Sequence, residues 1–93
     1  MDERKAARVT IRGRVQGVSY RIWTSREASA LGLNGWVRNE ADGSVTALIA
    51  GPAAAVATML ERFRKGPPGA AVSEVAAQSA AVEDVPSGFR IAD

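Results

Sequence analysis

Histidine and cysteine are both absent from this chain of 93 residues. Their absence excludes disulfides, thiol nucleophiles, zinc-finger sites, imidazole bases and histidine-based serine triads. Any chemistry therefore falls to Arg, Asn, Ser, Tyr, the carboxylates and the backbone. No uninterrupted apolar run approaches the ~18 residues of a membrane span, and the polar start Met1-Asp2-Glu3-Arg4-Lys5 is unlike a signal peptide. The expectation is a cytoplasmic protein with no membrane partner.

What is present resembles an ordinary globular composition, with 46% hydrophobic and 24% charged residues. That is enough apolar matter for a core, and the length predicts one domain over residues 1–93 with a radius of gyration of roughly 12 Å. Twelve Lys and Arg against ten Asp and Glu leave a net charge of +2, too little to imply nucleic-acid or membrane affinity. The charge is unevenly spread: residues 1–21 carry six basic and two acidic groups, and residues 66–93 carry one basic and four acidic. An anion site is expected in the N-terminal part. Arg8 and Arg12, alternating with Val9 and Ile11, read most simply as the solvated face of a strand.

The pattern along the chain predicts a strand within Ala7 to Arg14 that ends at Gly13, then a break centred on Gly17. A helix follows over Arg21 to Leu31, with Tyr20, Thr24, Ala28 and Leu31 on one stripe and Gly32 as its stop. Gly35 to Glu40 and Ser44 to Ala50 flank Ala41-Asp42-Gly43 and predict an antiparallel hairpin. Gly51-Pro52 opens a second helix with Val56, Met59, Leu60 and Phe63 on one face, and Gly66-Pro67-Pro68-Gly69 ends it. Ala71 to Val82 reads as a weakly patterned strand and Gly88 to Ile91 as a short final one. The order β-α-β-β-α-β with right-handed crossovers predicts an α+β, ferredoxin-like sandwich. Its four-stranded antiparallel sheet would carry both helices on one face, with the short terminal strand added.

The segment Gly13-Arg14-Val15-Gln16-Gly17-Val18-Ser19-Tyr20-Arg21 runs from strand into helix, where unpaired amides and the positive end of the helix dipole converge. It has neither the Walker spacing nor that of dinucleotide loops, so the residues alone also fit an ordinary turn with Arg21 in solvent. Arg21 is nevertheless misplaced at a helix N-terminus, which favours acidic groups. A bound dianion would resolve the misfit, because guanidinium and several amides can share its oxygens. Asn39, on the same face as Val37, reads alone as a turn residue. Beside Arg21, its amide is a candidate for positioning a water. Ser19 lacks a neighbouring base and a nucleophile elbow, so its hydroxyl reads as a loop hydrogen-bonder. Trp23 and Trp36 read as core or rim aromatics, and Tyr20 as packing beneath the loop.

These residues resemble the acylphosphatase family through Gly13-Arg14-Val15-Gln16-Gly17-Val18-x-x-Arg21, then Ala28-x-x-Leu31-Gly32-Leu33-x-Gly35-Trp36-Val37-x-Asn39, and then Asp42-Gly43-x-Val45. The resemblance covers nearly the whole chain. It implies a hydrolase that splits acyl phosphates into carboxylate and inorganic phosphate with no metal and no cofactor. By the same resemblance the amides of Val15, Gln16, Gly17, Val18, Ser19 and Tyr20 cradle the phosphate together with Arg21. Asn39 then orients the attacking water. An acyl phosphate is an activated anhydride, so charge stabilisation and an oriented water suffice without a general base.

An alternative keeps the same domain as a non-catalytic module that binds phosphate or a partner protein. An RNA-binding module shares the element order, but such modules stack bases on aromatics of their first and third strands. Ala7 to Arg14 and Ser44 to Ala50 contain no Phe, Tyr or Trp. The expected partner is thus a small acyl phosphate rather than nucleic acid, and the expected state is a monomer.

Overall fold

Val9 and Ile11 alternate with Arg8, Thr10 and Arg12, and the strand that results buries the first pair completely and leaves both arginines exposed. The computed structural model describes residues 3–92. Met1, Asp2 and Asp93, which the expected domain of 1–93 includes, lie outside the described residues. Strand β1 (Arg4–Arg14) leads to helix α1 (Tyr20–Ala30), strands β2 (Asn34–Asn39) and β3 (Val45–Pro52), and helix α2 (Ala53–Lys65). Strand β4 (Ala71–Ala80), a 3₁₀ turn at Val82–Asp84 and strand β5 (Phe89–Ile91) complete the order.

The five strands form one sheet in the order β4-β1-β3-β2-β5. The first four are antiparallel to their neighbours. β5 runs parallel to β2, pairing Phe89 with Gly35 and Ile91 with Val37, so the sheet is mixed. The expected architecture holds, with the terminal strand at an edge. β1 starts at Arg4, earlier than its apolar alternation suggests, because Arg4 and Lys5 pair with Pro52 and Gly51 of β3.

The pairing register fixes which side chains share a face. Val9, Ile11, Val37, Ala47 and Ile49 lie on one side with Tyr20 and Ala28 of α1 and Val56, Met59 and Phe63 of α2 in a single buried cluster. Both helices therefore cover the same face, and α1 buries Tyr20, Thr24 and Ala28. The helices are joined at their surface by Arg62 Nη1 donating to Glu27 Oε1 at 3.0 Å. The opposite face is only lightly covered: Leu48 is 8% exposed there, and its neighbour Trp36 lies under the guanidinium groups of Arg38 and Arg8, 4.7 and 5.6 Å from the ring centre.

Strand β4 is the weak element of the sheet. Val72 and Val75 pack against the core, whereas Ala76, Ala77, Gln78 and Ser79 are exposed. Its pairing with β1 shifts between Arg12 and Gly13, a bulge that bends β1 before the chain turns toward α1. Gly13 sits there with φ 124°, and a Cβ at this position would run into the carbonyl of Ala71.

Candidate active site

The stretch between β1 and α1 keeps its backbone donors unspent. Among the described residues the amides of Gln16, Gly17, Val18 and Ser19 donate to no backbone or side-chain acceptor. Gly17 (φ 76°) and Ser19 (φ 62°) lie in the left-handed region while Val18 between them does not, an alternation of the kind from which anion-binding nests of successive N–H groups are made. Ser19 is also the residue that caps α1. Its left-handed backbone carries the hydroxyl away from the first turn, so no side chain caps α1, and no acidic residue stands in that turn. The positive end of the helix is thus left to a ligand.

A cavity of about 460 Å³ opens on this end, lined by Val15, Gly17, Ser19, Tyr20, Arg21, Ile22, Asn39 and Ile91. The structure brings Arg21 and Asn39 to one cavity although they are far apart in sequence. Arg21, in the first turn of α1, is half-buried and engaged with its surroundings. Asn39 ends β2 on the helix side of the sheet, and its Oδ1 is buried without a hydrogen-bond partner among the described residues. Burying such an acceptor unpaired costs about 1–3 kcal/mol, so a site that keeps one commonly has a use for it.

Two neighbours hold this arrangement rigid. Tyr20 is 1% exposed, lies parallel to the Phe63 ring and tilted against Trp23, and donates its hydroxyl to the Phe63 carbonyl at 2.8 Å. Burial pushes its phenol well above the ordinary range, so it remains neutral and serves as a pillar beneath the loop. Gln16 turns its side chain away from the cavity and donates Nε2 to the carbonyls of Glu40 and Ser44 at 2.8 and 2.9 Å. These carbonyls are the two ends of the β2–β3 turn, which Glu40 N also closes onto Ser44 O at 2.9 Å. Within that turn Asp42 Oδ1 accepts from the Ser44 amide and hydroxyl at 3.0 and 2.6 Å. Those two bonds, followed by Arg12, hold its carboxyl down at about 2.

A family model for acylphosphatases matches residues 7–91. The chain belongs to the acylphosphatase family. It is 63% identical over 89 residues to an acylphosphatase of Rhizobium meliloti (strain 1021), covering 96% of this chain and 94% of that protein. Among solved structures, an acylphosphatase from Coxiella burnetii superposes with a TM-score of 0.91 at 37% identity, covering 96% and 93% of the two chains. One from Bacillus subtilis does so with a TM-score of 0.90 at 32% identity, covering 95% and 98%.

Of the residues singled out from sequence, Val15, Gly17, Ser19, Tyr20, Arg21 and Asn39 line this one cavity, whereas Gln16 and Val18 do not. The expected phosphate-cradling residues, Val15 to Arg21, all lie at one end of α1. The Gln16 side chain, however, has a structural task that sequence reasoning missed, since its partners lie 24 and 28 residues away. Ile22 and Ile91 also went unremarked as cavity residues. Their signal was a large apolar residue in an exposed first helical turn, and another in a strand too short to bury it.

Proposed function

We propose that this chain hydrolyses acyl phosphates to carboxylate and inorganic phosphate, with the phosphate held by Arg21 and the backbone amides of Val15 to Tyr20 and the attacking water held by Asn39. The observation that carries this reading is the uncapped start of α1, with four unspent loop amides preceding it, opening on the same cavity as Arg21 and the unpaired Asn39 Oδ1. Guanidinium and amides supply fixed donors for the equatorial phosphate oxygens, whose charge must be stabilised as the P–O bond to the acyl group lengthens. Asn39 Oδ1 accepts from the water and aims its oxygen at phosphorus, in line with the departing carboxylate. The O–P bond to water forms as the acyl O–P bond breaks. The water proton passes to a phosphate oxygen, and the carboxylate leaves with the bonding pair.

No base is required, because a carboxylate is a good leaving group and the substrate phosphate takes the proton. No metal or cofactor enters the proposal: the cavity lining holds no carboxylate among the described residues, and its one charged residue, Arg21, is a cation. The same reading takes the domain as residues 1–93, a cytoplasmic monomer whose partner is a small acyl phosphate and not nucleic acid. No helix among the described residues is long and apolar enough to cross a membrane.

The test is phosphate release from benzoyl phosphate in ¹⁸O-labelled water, with and without EDTA. Turnover unaffected by EDTA, with the label in phosphate, is expected. Label in benzoate would place the attack at carbon and overturn the role given to Asn39, and no turnover by folded protein would overturn the activity.

A further inference from the structure

Ile22 and Ile91 are the two large hydrophobic residues that the described part of the chain leaves exposed, at 51% and 41%. A single exposed isoleucine needs no explanation. Here both line the same cavity, one from the first turn of α1 and the other from β5. The sheet register shows how β5 brings its residue there. Ile91 pairs with Val37, and Asn39 is two residues further along β2 on the same face, so Ile91 stands beside the same-face position two residues before Asn39. The Ala92 amide donates to the Val37 carbonyl at 2.8 Å and ties the backbone just beyond Ile91. On the helix, Ile22 directly follows Arg21 and so occupies the neighbouring sector of the α1 surface.

The cavity is therefore divided chemically. Its loop side carries unspent amides with Arg21 and Asn39, while Ile22 and Ile91 supply apolar surface. Apart from Arg21, no charged residue lines it among the described residues. A substrate whose phosphate sits at the loop must direct its other half past this apolar surface, and nothing there would compensate a second anionic group for lost hydration.

We propose that Ile22 and Ile91 form the acyl subsite and select acyl phosphates with an apolar acyl group, an aromatic ring or alkyl chain, over those bearing a second carboxylate or phosphate. This rests on the reading that the loop and Arg21 hold the phosphate. Covering the two isoleucines with an apolar acyl group removes surface from water on both partners, whereas a carboxylate there is partly desolvated without a counter-charge.

The experiment measures kcat/KM for benzoyl phosphate, acetyl phosphate and succinyl phosphate with wild type, Ile22→Ser, Ile91→Ser and the double variant. The inhibition constant of inorganic phosphate is measured alongside. Wild type is expected to favour benzoyl phosphate, with succinyl phosphate the poorest substrate. The benzoyl-to-acetyl ratio should fall about threefold in each single variant and about tenfold in the double variant, while phosphate inhibition changes by less than about twofold. Ile22→Lys should raise the succinyl-to-acetyl ratio. Ile22 lies on an exposed helix surface, so its variants test the proposal even if Ile91→Ser loosens β5. Unchanged ratios in active Ile22 variants would overturn the acyl subsite and leave the phosphate site standing. An equal loss on all substrates and on phosphate inhibition would also overturn it, by making the isoleucines structural. Failure of wild type on every acyl phosphate would instead remove the underlying reading.

Discussion

The sheet has two polar hollows, and the one richer in charge is the one with less left to do. On the outer face Arg8, Arg12, Arg38, Glu40 and Asp42 line a shallow groove of about 450 Å³. There Arg38 Nε meets Glu40 Oε2 at 2.7 Å, Arg12 meets Asp42 at 3.2 Å and Glu74 at 3.6 Å, and Arg8 rests over Trp36. On the helix side the cavity has a single charged residue, Arg21, among the described residues. Its loop amides and Asn39 Oδ1 nevertheless make no hydrogen bonds with the described residues. Exposed ion pairs of the outer kind contribute about 0–1 kcal/mol and act locally. A buried acceptor left open, such as Asn39 Oδ1, is costly to the fold and valuable to a ligand. Unsatisfied hydrogen-bonding capacity distinguishes a site better than charge density does.

The contrast is broken most sharply by removing Arg21. Arg21→Ala should lower kcat/KM for benzoyl phosphate by about a thousandfold and weaken competitive inhibition by phosphate, because the guanidinium meets the dianion in ground and transition states alike. Arg38→Ala, across the sheet, should change kcat/KM by less than about twofold. Comparable losses from both variants would erase the distinction between the hollows.

Asn39→Ala should come next, with kcat reduced by about a hundredfold and KM within about twofold, since an oriented water matters only as the new bond forms. Phosphate inhibition should be unchanged. If phosphate binding fell as far as turnover, Asn39 would be a phosphate ligand and not the holder of the water.

Gln16 connects the two hollows, because its side chain fastens the loop to the turn between β2 and β3. Gln16→Met keeps the length of the side chain and deletes both donors to Glu40 O and Ser44 O. The expected outcome is an unfolding free energy lower by about 1–2 kcal/mol and a kcat lower by about tenfold, with the inhibition constant of phosphate less affected. A stability loss with kcat intact would show that the turn keeps Asn39 in place unaided.

This link also marks where sequence reasoning runs out. The element order and most boundaries were legible to within a residue or two, because Gly13, Gly32, Pro52 and Gly66 punctuate clean periods of two and of three to four. Tyr20, Thr24 and Ala28 of the expected stripe are buried, and Leu31, just past the end of α1, is partly so. Arg21 was legible as a charge in the wrong place on a helix, and Asn39 as a poor strand former at the end of one. The Gln16 contacts were not, since amide-to-carbonyl bonds across 24 and 28 residues leave no periodic trace. Nor was the parallel seat of β5 beside β2, which brings Ile91 to the cavity through non-local pairing with Gly35, Trp36 and Val37. Trp36, read as core or rim, proves to be the outer-face partner of Arg8 and Arg38 because strand parity puts it opposite Val37.

The smallest expected effect lies in the acid response of the outer hollow. The hydroxyl and amide of Ser44, then Arg12, hold the Asp42 carboxyl at about 2 against an ordinary 3.8. A depressed carboxylate favours the folded state above its unfolded pKa, and that contribution disappears as pH falls through the folded one. Asp42 should therefore add stability fully present above about pH 4 and lost between there and about pH 2. Glu40, lowered chiefly by its bond to Arg38, adds a shift of the same sign. Asp42→Asn keeps an oxygen for the Ser44 amide and hydroxyl but removes the charge. Urea unfolding midpoints should then fall less steeply over that interval than in wild type, while kcat/KM at neutral pH stays within about twofold. An unchanged acid slope would show that the turn is held by the bonds to Ser44 whatever the ionisation of residue 42. A large loss of activity would mean that the two hollows are coupled through the β2–β3 turn more tightly than the Gln16 link alone requires.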